Sequence, residues 1–253
     1  FTNKRYWRSV HRYLGLVIGV QFLLWTTSGL IFSWNSIESV RGENLIRSQE
    51  PLNLRSQEID DLGELLDSPA LAMREDDIVV SALLRTMLDR PVFELTIVRN
   101  KKQLVVLVDA VSGKQLSPID EVMAKRIAQS DFADDAEVRS VEFVESVGSH
   151  SEYRGKELPA YRVEMEHTTD TVIYVSANRG AVTTRRNNQW RVFDFFWMLH
   201  TMDYQGRDNF NHWILKTISI FGLVTVLSGF VLWFKTSRLF RRRKKAKPTN
   251  EKG

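Results

Sequence analysis

The 253 residues include 35 Lys or Arg, 31 Asp or Glu, five histidines and no cysteine. Without thiols, disulfides, thiolate metal centres and a Cys-x-x-Cys-His attachment for c-type haem are all excluded. The mean hydropathy of −0.25 resembles that of a soluble protein, but it averages two uncharged stretches with a polar middle.

The chain opens on a basic flank, with Lys4, Arg5, Arg8 and Arg12 in residues 1–13 and no acid. It closes on another, with nine Lys or Arg in residues 235–253 against Glu251 alone. Apart from Lys216, the region between holds 21 basic and 30 acidic residues, a balance near −9. Basic flanks stay on the cytoplasmic side of a bacterial inner membrane, so both termini are expected there and the central region in the periplasm. The sequence pI of 9.3 then reflects topology. The expected partner is the lipid bilayer, with Arg241 to Lys245 against anionic headgroups, and no nucleic acid.

Leu14 to Trp34 is 21 residues long and uncharged. It exceeds the roughly 7–15 apolar residues of a signal peptide and lacks a small-residue cleavage site, so it reads as an uncleaved anchor. Gly15, Gly19, Phe22, Thr26 and Gly29 recur along one face, where small residues let helices approach closely in lipid. Gln21 is the polar outlier.

Asn35 to Asp67 is a mixed connector with one or two helical turns. Asp76 to Arg90 has apolar residues at helical spacing behind an acidic start, which predicts an amphipathic helix. Val92–Val98 and Gln103–Asp109 predict a hairpin, and Asp120–Ser130 a helix behind Pro118. Glu137–Val144 is a strand candidate, and Ala160–Glu166 with Thr171–Val175 a second hairpin. LVVLVDAVSGKQLS and TVIYVSANRGAVTT look like two copies of one unit: an apolar strand, a turn at Gly113 or Gly180, and a short polar strand. A repeated hairpin-plus-helix unit predicts an α+β domain on antiparallel sheet.

Trp190 to Tyr204 is rich in aromatics, fitting either a helix at the membrane interface or a buried core helix. The polar loop Asp203–Asn211 is either a receptor for a partner or a turn in which Asn209 or Asn211 caps the next helix. Ile218 to Phe234 runs 17 residues without a charge, and Trp213 to Leu215 lengthen the span to cross about 30 Å of hydrocarbon. Ser219, Gly222, Val226 and Gly229 repeat the small-residue face. The expected division is 1–36 (basic flank and first anchor), 37–189 (periplasmic domain), 190–211 (aromatic helix and loop), 212–235 (second anchor) and 236–253 (basic tail).

Hydrolytic chemistry has no support, because Gly-x-Ser-x-Gly, His-Glu-x-x-His and glycine-rich phosphate loops are all missing from the sequence. Asp76-Asp77 and Asp134-Asp135 read as solvated loops or helix starts.

Three segments together resemble the PepSY-associated transmembrane family of bacteria. They are Trp7-x3-His11-Arg12-Tyr13-Leu14-Gly15-Leu16, Val108-Asp109-Ala110-x-Ser112-Gly113, and Met198-Leu199-His200 with its loop and anchor. Leu158-Pro159-Ala160-Tyr161-Arg162-Val163 also fits. The resemblance implies a periplasmic α+β PepSY module carried by membrane helices, two here against about four in better-known members. The family contains proteins of unknown role alongside haem-containing reductases, and His11 and His200 match its histidines. It thus implies b-type haem as the candidate cofactor, with His11 and His200 as candidate ligands; His212 joins them as a candidate from its place beside His200 at the outer side of the second anchor. His150 and His167 lie in polar segments and read as surface residues.

Topology limits that reading. A helix of about 20 residues separates His11 from His200 and His212 by about 30 Å, too far for two axial ligands of one iron. A haem needs His200 with His212, one His11 from each of two chains, or a partner's ligand. Two functions follow. One is a non-enzymatic accessory subunit, joined to a membrane partner or to a second copy through Gly15, Gly19, Gly29, Gly222 and Gly229. The other is a haem-dependent electron-transfer subunit, for example in iron or siderophore reduction.

Overall fold

The computed structural model describes residues 4–48 and 52–236, so most of the expected basic tail lies outside the described residues. The chain divides into two compact units. Trp34–Asp194 forms one, and the two ends of the chain form the other.

In the first unit, β1 (Ile78–Met87), β2 (Arg90–Arg99) and β3 (Lys102–Asp109) make an antiparallel meander. Its turns are two-residue hairpins. Leu88-Asp89 and Asn100-Lys101 take positive φ at both positions, the backbone that matches the right-handed twist of paired strands. Helix α4 (Glu121–Asp131) follows, its N-terminus capped by the Asp120 carboxylate accepting from the Met123 N–H at 2.7 Å. Strands β4 (Val138–Val144), β5 (Ala160–Met165), β6 (Val172–Ser176) and β7 (Ala181–Arg186) complete a second antiparallel sheet. Within this unit, the described residues before β1 form the short helices α2 (Ile37–Arg41) and α3 (Leu62–Leu66) and two 3₁₀ turns. Helix α5 (Asn188–Thr201) follows β7.

The helix expected over Asp76–Arg90 is strand β1 instead. A bulge between Val79 and Ser81 explains the misreading: Val79, Ala82 and Leu84 lie opposite Ile97, Leu95 and Phe93. Inserting one residue turns a strand's period of two into spacings of three and two, which imitate a helical stripe. The β-branched Ile78-Val79-Val80 start favours the strand.

The two copies share a strand and a glycine turn but differ in the return strand. β6 and β7 pair across Gly180, whereas Gln115 makes only an isolated bridge to Val108. Pro118, having no N–H, cannot extend that ladder. The Val108-Asp109-Ala110-x-Ser112-Gly113 motif is this turn. The Asp109 carboxylate accepts from the Val111 and Ser112 N–H groups at 3.0 and 2.9 Å. Gly113 takes φ +66°.

Two larger cores serve this unit among the described residues, beside a smaller cluster of Tyr153, Ala160, Val172 and Tyr174. Val92, Leu107 and Met87 join Ala124, Ile127, Ala128 and Phe132 with Val163, Met165, Ile173 and Val175. Phe93, Leu95, Ile97 and Val108 pack on Leu65 and Leu71 from the connector. The three-stranded sheet is thus covered on both faces. A polar clamp ties it to the β6–β7 turn: Glu94 pairs with Arg85 at 3.0 Å and with Arg179, which also holds Glu157 at 2.6 Å. Nearby, Trp190 lies under the guanidinium of Arg186 at 4.1 Å and of Arg154 at 5.7 Å. Arg154 pairs with buried Asp194 at 2.7 Å.

Gly180 lies where the units of sheet meet, at φ +55°, and a Cβ there would stand 2.7 Å from Met87 Sδ. Gly180→Ala is expected to destabilise this unit by about 1–3 kcal/mol, because it adds left-handed strain to overpacking; urea unfolding followed by sheet circular dichroism measures it. Asp77 is enclosed and receives Arg99 at 2.5–2.6 Å. That side-chain bond, opposed by burial, pushes its pKa down to about 2. The folded value lies below the ordinary 3.8, so the pair's contribution is complete above the ordinary value and is lost as pH falls toward about 2. Thermal melts between pH 5 and pH 2 should fall less steeply in Asp77→Asn, which has no such proton to bind.

Candidate functional site

The unit formed by the chain ends contains α1 (Lys4–Trp34) and α6 (Trp213–Thr236) with the end of α5. Within α1 and α6, His11–Trp34 and Trp213–Phe234 are long and apolar enough to span a membrane, at 24 and 22 residues. Isolated helices in hydrocarbon hold together by close packing and by internal satisfaction of polar groups. Both devices are visible here.

Packing centres on Gly222, where a Cβ would lie 3.1 Å from the Phe22 ring and 3.9 Å from Ile18. Further along, His11 meets Ser228. Advancing along α1 means retreating along α6, so the helices are antiparallel. Gly15, Gly19, Gly29 and Gly229 have no atom within 4 Å of a Cβ position. Of the five glycines expected at a partner interface, Gly222 is thus occupied inside the chain.

Polar satisfaction rests on two histidine–serine pairs. His11 Nδ1 lies 2.8 Å from Ser228 Oγ, and that hydroxyl is 2.7 Å from the Thr225 carbonyl. His200 Nδ1 lies 2.7 Å from Ser28 Oγ, which is 2.8 Å from the Leu24 carbonyl and 3.0 Å from that of Trp25. The Trp25 indole N–H donates to the His200 carbonyl at 2.8 Å. The Phe32 and Trp25 rings flank the imidazole at centroid distances of 5.5 and 6.2 Å. Burial holds the His200 pKa below the usual histidine range, which favours neutral imidazole.

His11 and Ser28 lie seventeen positions apart on α1, about 25 Å of helix. The structure therefore keeps His11 and His200 at two separate levels. His212 serves differently: Nε2 donates to the Thr201 carbonyl at 2.9 Å, and Nδ1 accepts from the Leu215 N–H at 3.4 Å. Its ring caps α6, the task expected of Asn209 or Asn211, and both nitrogens are engaged. The preceding loop closes on the Asp203 carboxylate, which accepts from the N–H groups of Gln205, Gly206 and Asn209 at 2.9–3.3 Å. Burial opposes ionisation there, but these donors hold the Asp203 pKa below the usual carboxylate range.

Gln21 is buried, and its amide nitrogen has no hydrogen-bond partner among the described residues. Of the two histidines predicted to lie at the surface, His167 Nε2 is 3.1 Å from Asp134, and its Nδ1 is 2.7 Å from the Thr169 hydroxyl. His150 Nδ1 lies 3.3 Å from the Ser149 hydroxyl. No group of three His, Asp or Glu suited to a metal ion occurs among the described residues. The serines escaped the sequence reading, although each precedes a glycine of the small-residue stripes, Ser28-Gly29 and Ser228-Gly229.

A family model described as the PepSY-associated TM region matches residues 8–251. The chain belongs to this family. No curated protein and no solved structure matches it. Family membership and two apolar terminal helices make it a membrane protein of α+β class. In this chain the segments His11–Gly15 and Met198–His200 each place a histidine beside a helix serine.

Replacing Asp203 with Ala should open the loop it organises. Limited proteolysis in detergent is expected to cut between residues 203 and 211 several-fold faster in that variant, while the rate in the sheet unit stays unchanged.

Proposed function

We propose that this protein is an inner-membrane PepSY subunit whose two helices complete a larger bundle with a partner, while its sheet unit faces the periplasm as an interaction module. The observation that carries this reading is the unfilled space along the helices at Gly15, Gly19, Gly29 and Gly229. An open apolar groove of about 600 Å³ supports it, lined by Leu14, Val17, Ile18, Ile218 and Phe221. So does the buried, unpaired amide of Gln21, a donor that a neighbouring helix can satisfy. The basic flanks and acidic middle support the orientation, with both termini cytoplasmic.

The test is assembly. Purified in mild detergent, the wild-type chain is expected to run above single-chain mass, with a second copy or another membrane subunit. Gly19→Leu and Gly29→Leu should release it as a single chain. A wild-type protein that is a single chain in nanodiscs, indistinguishable from both variants, would sink the proposal.

A second reading, electron transfer through b-type haem, draws on the histidines. The donor set fits such a group at the level of single ligands. His11 and His200 each engage Nδ1 with a serine, and neither Nε2 has a hydrogen bond among the described residues. Each level offers one imidazole that could serve as a single ligand to such a group, and a partner helix would supply the other. Haem bound there would supply one-electron chemistry. His11 and His200 would hold it, with Phe32 and Trp25 walling His200 from water. Protein purified after expression with ample haem should then show a Soret band that shifts on dithionite reduction, and His200→Ala should diminish it. A flat visible spectrum, with the partner retained, would leave only the first reading.

A further inference from the structure

The hydroxyl groups of Ser28 and Ser228 have a hydrogen-bond arithmetic that determines more than orientation. A serine hydroxyl carries one hydrogen. Ser28 Oγ is within bonding distance of the Leu24 and Trp25 carbonyls, which only accept, and of His200 Nδ1. If the hydroxyl gave its hydrogen to Nδ1, the carbonyl contact would carry no bond and the imidazole N–H would be left at Nε2 without an acceptor. If it gives the hydrogen to the carbonyl, it accepts from Nδ1–H and two bonds form. The second arrangement makes one hydrogen bond more than the first, about 0.5–1.5 kcal/mol net, so it wins. Ser228 repeats the arithmetic between the Thr225 carbonyl and His11 Nδ1.

We infer that Ser28 and Ser228 are positioning residues that lock His200 and His11 in the Nδ1–H tautomer, leaving each Nε2 as a bare electron-pair donor. Each donor would suit its own metal centre at its own level, completed by a ligand from a partner, and this use rests on the haem reading above. His212 supplies the contrast inside the same unit. Its Nε2 must carry the hydrogen, because it faces the Thr201 carbonyl, and its Nδ1 accepts. The three histidines therefore divide into two presented donors and one structural cap, a division invisible in the spacing of the residues. Side chains that orient a ligating histidine through its other nitrogen commonly change metal affinity 10–100-fold when removed.

The test uses the full chain with ¹⁵N-labelled histidine in nanodiscs, without added haem, at alkaline pH so that the imidazoles are neutral. Resonances are assigned with His11→Gln, His200→Gln and His212→Gln. Protonated and unprotonated ring nitrogens resonate far apart. His200 and His11 are expected to show protonated Nδ1, and His212 protonated Nε2. Ser28→Ala should convert His200 to a tautomer mixture without moving His212, and Ser28→Thr, which keeps the hydroxyl, should restore it. A protonated Nε2 on His200 in the wild type, or a tautomer unmoved in Ser28→Ala, overturns the assignment. In a separate haem titration, Ser28→Ala should weaken binding at least tenfold, with recovery in Ser28→Thr. Failure of the wild type to take haem would overturn the haem reading, while the tautomer result would still stand or fall on its own measurement.

Discussion

Apolar surroundings leave a membrane helix no solvent to satisfy a stray polar group, and the helical unit is arranged around that constraint. Among the described residues, the Trp25 indole, the Ser28 and Ser228 hydroxyls and the rings of His11, His200 and His212 each find a partner on another segment or on the backbone of their own helix. Ser28 and Ser228 are central because a serine in a helix can bond its own i−3 or i−4 carbonyl and still accept from outside. The helix loses nothing, and a histidine gains a fixed position. The exceptions are informative. The Gln21 amide nitrogen is left over, and by the tautomers inferred above the Nε2 atoms of His11 and His200 are bare donors at two levels of the helical unit.

The sheet unit follows different rules, because paired strands satisfy one another's backbone groups. Its strands are antiparallel throughout, so short turns can join neighbouring strands, and α4 closes the main core against both sheets. Burial is greatest between α4 and the two sheets, where a polar clamp on Glu94 and the close approach at Gly180 hold the halves together. The PepSY segment with Asp109 and Gly113 belongs to this scaffold and not to a reactive centre: its carboxylate is spent on backbone N–H groups. Family motifs thus serve two kinds of task here, turn formation in the sheet unit and histidine placement in the helices.

In both proposed readings, this membrane protein completes its task only with a partner. Open glycine faces and an apolar groove invite a neighbouring helix, and single imidazoles at two levels invite a second ligand. The two functional readings share this requirement for a partner. They differ in whether the bundle that forms is a scaffold or also an electron path.

Much of this was legible in the residues alone. Uncharged runs of membrane length, basic ends and an acidic middle depend only on composition along the chain, and hydration energies are large enough to decide membrane insertion without tertiary detail. Hairpins at Arg99–Lys102 and Gly180, and the helix behind Pro118, were readable because turn chemistry is local. Strand β1 was not, since a single bulge converts its period into a helical imitation that only pairing with β2 resolves. The occupied role of Gly222, the capping role of His212 and the tautomers of His11 and His200 were decided by tertiary structure alone. Each depends on which atom of a distant segment comes within about 3 Å, and hydrogen-bond roles exist only between atoms already brought together.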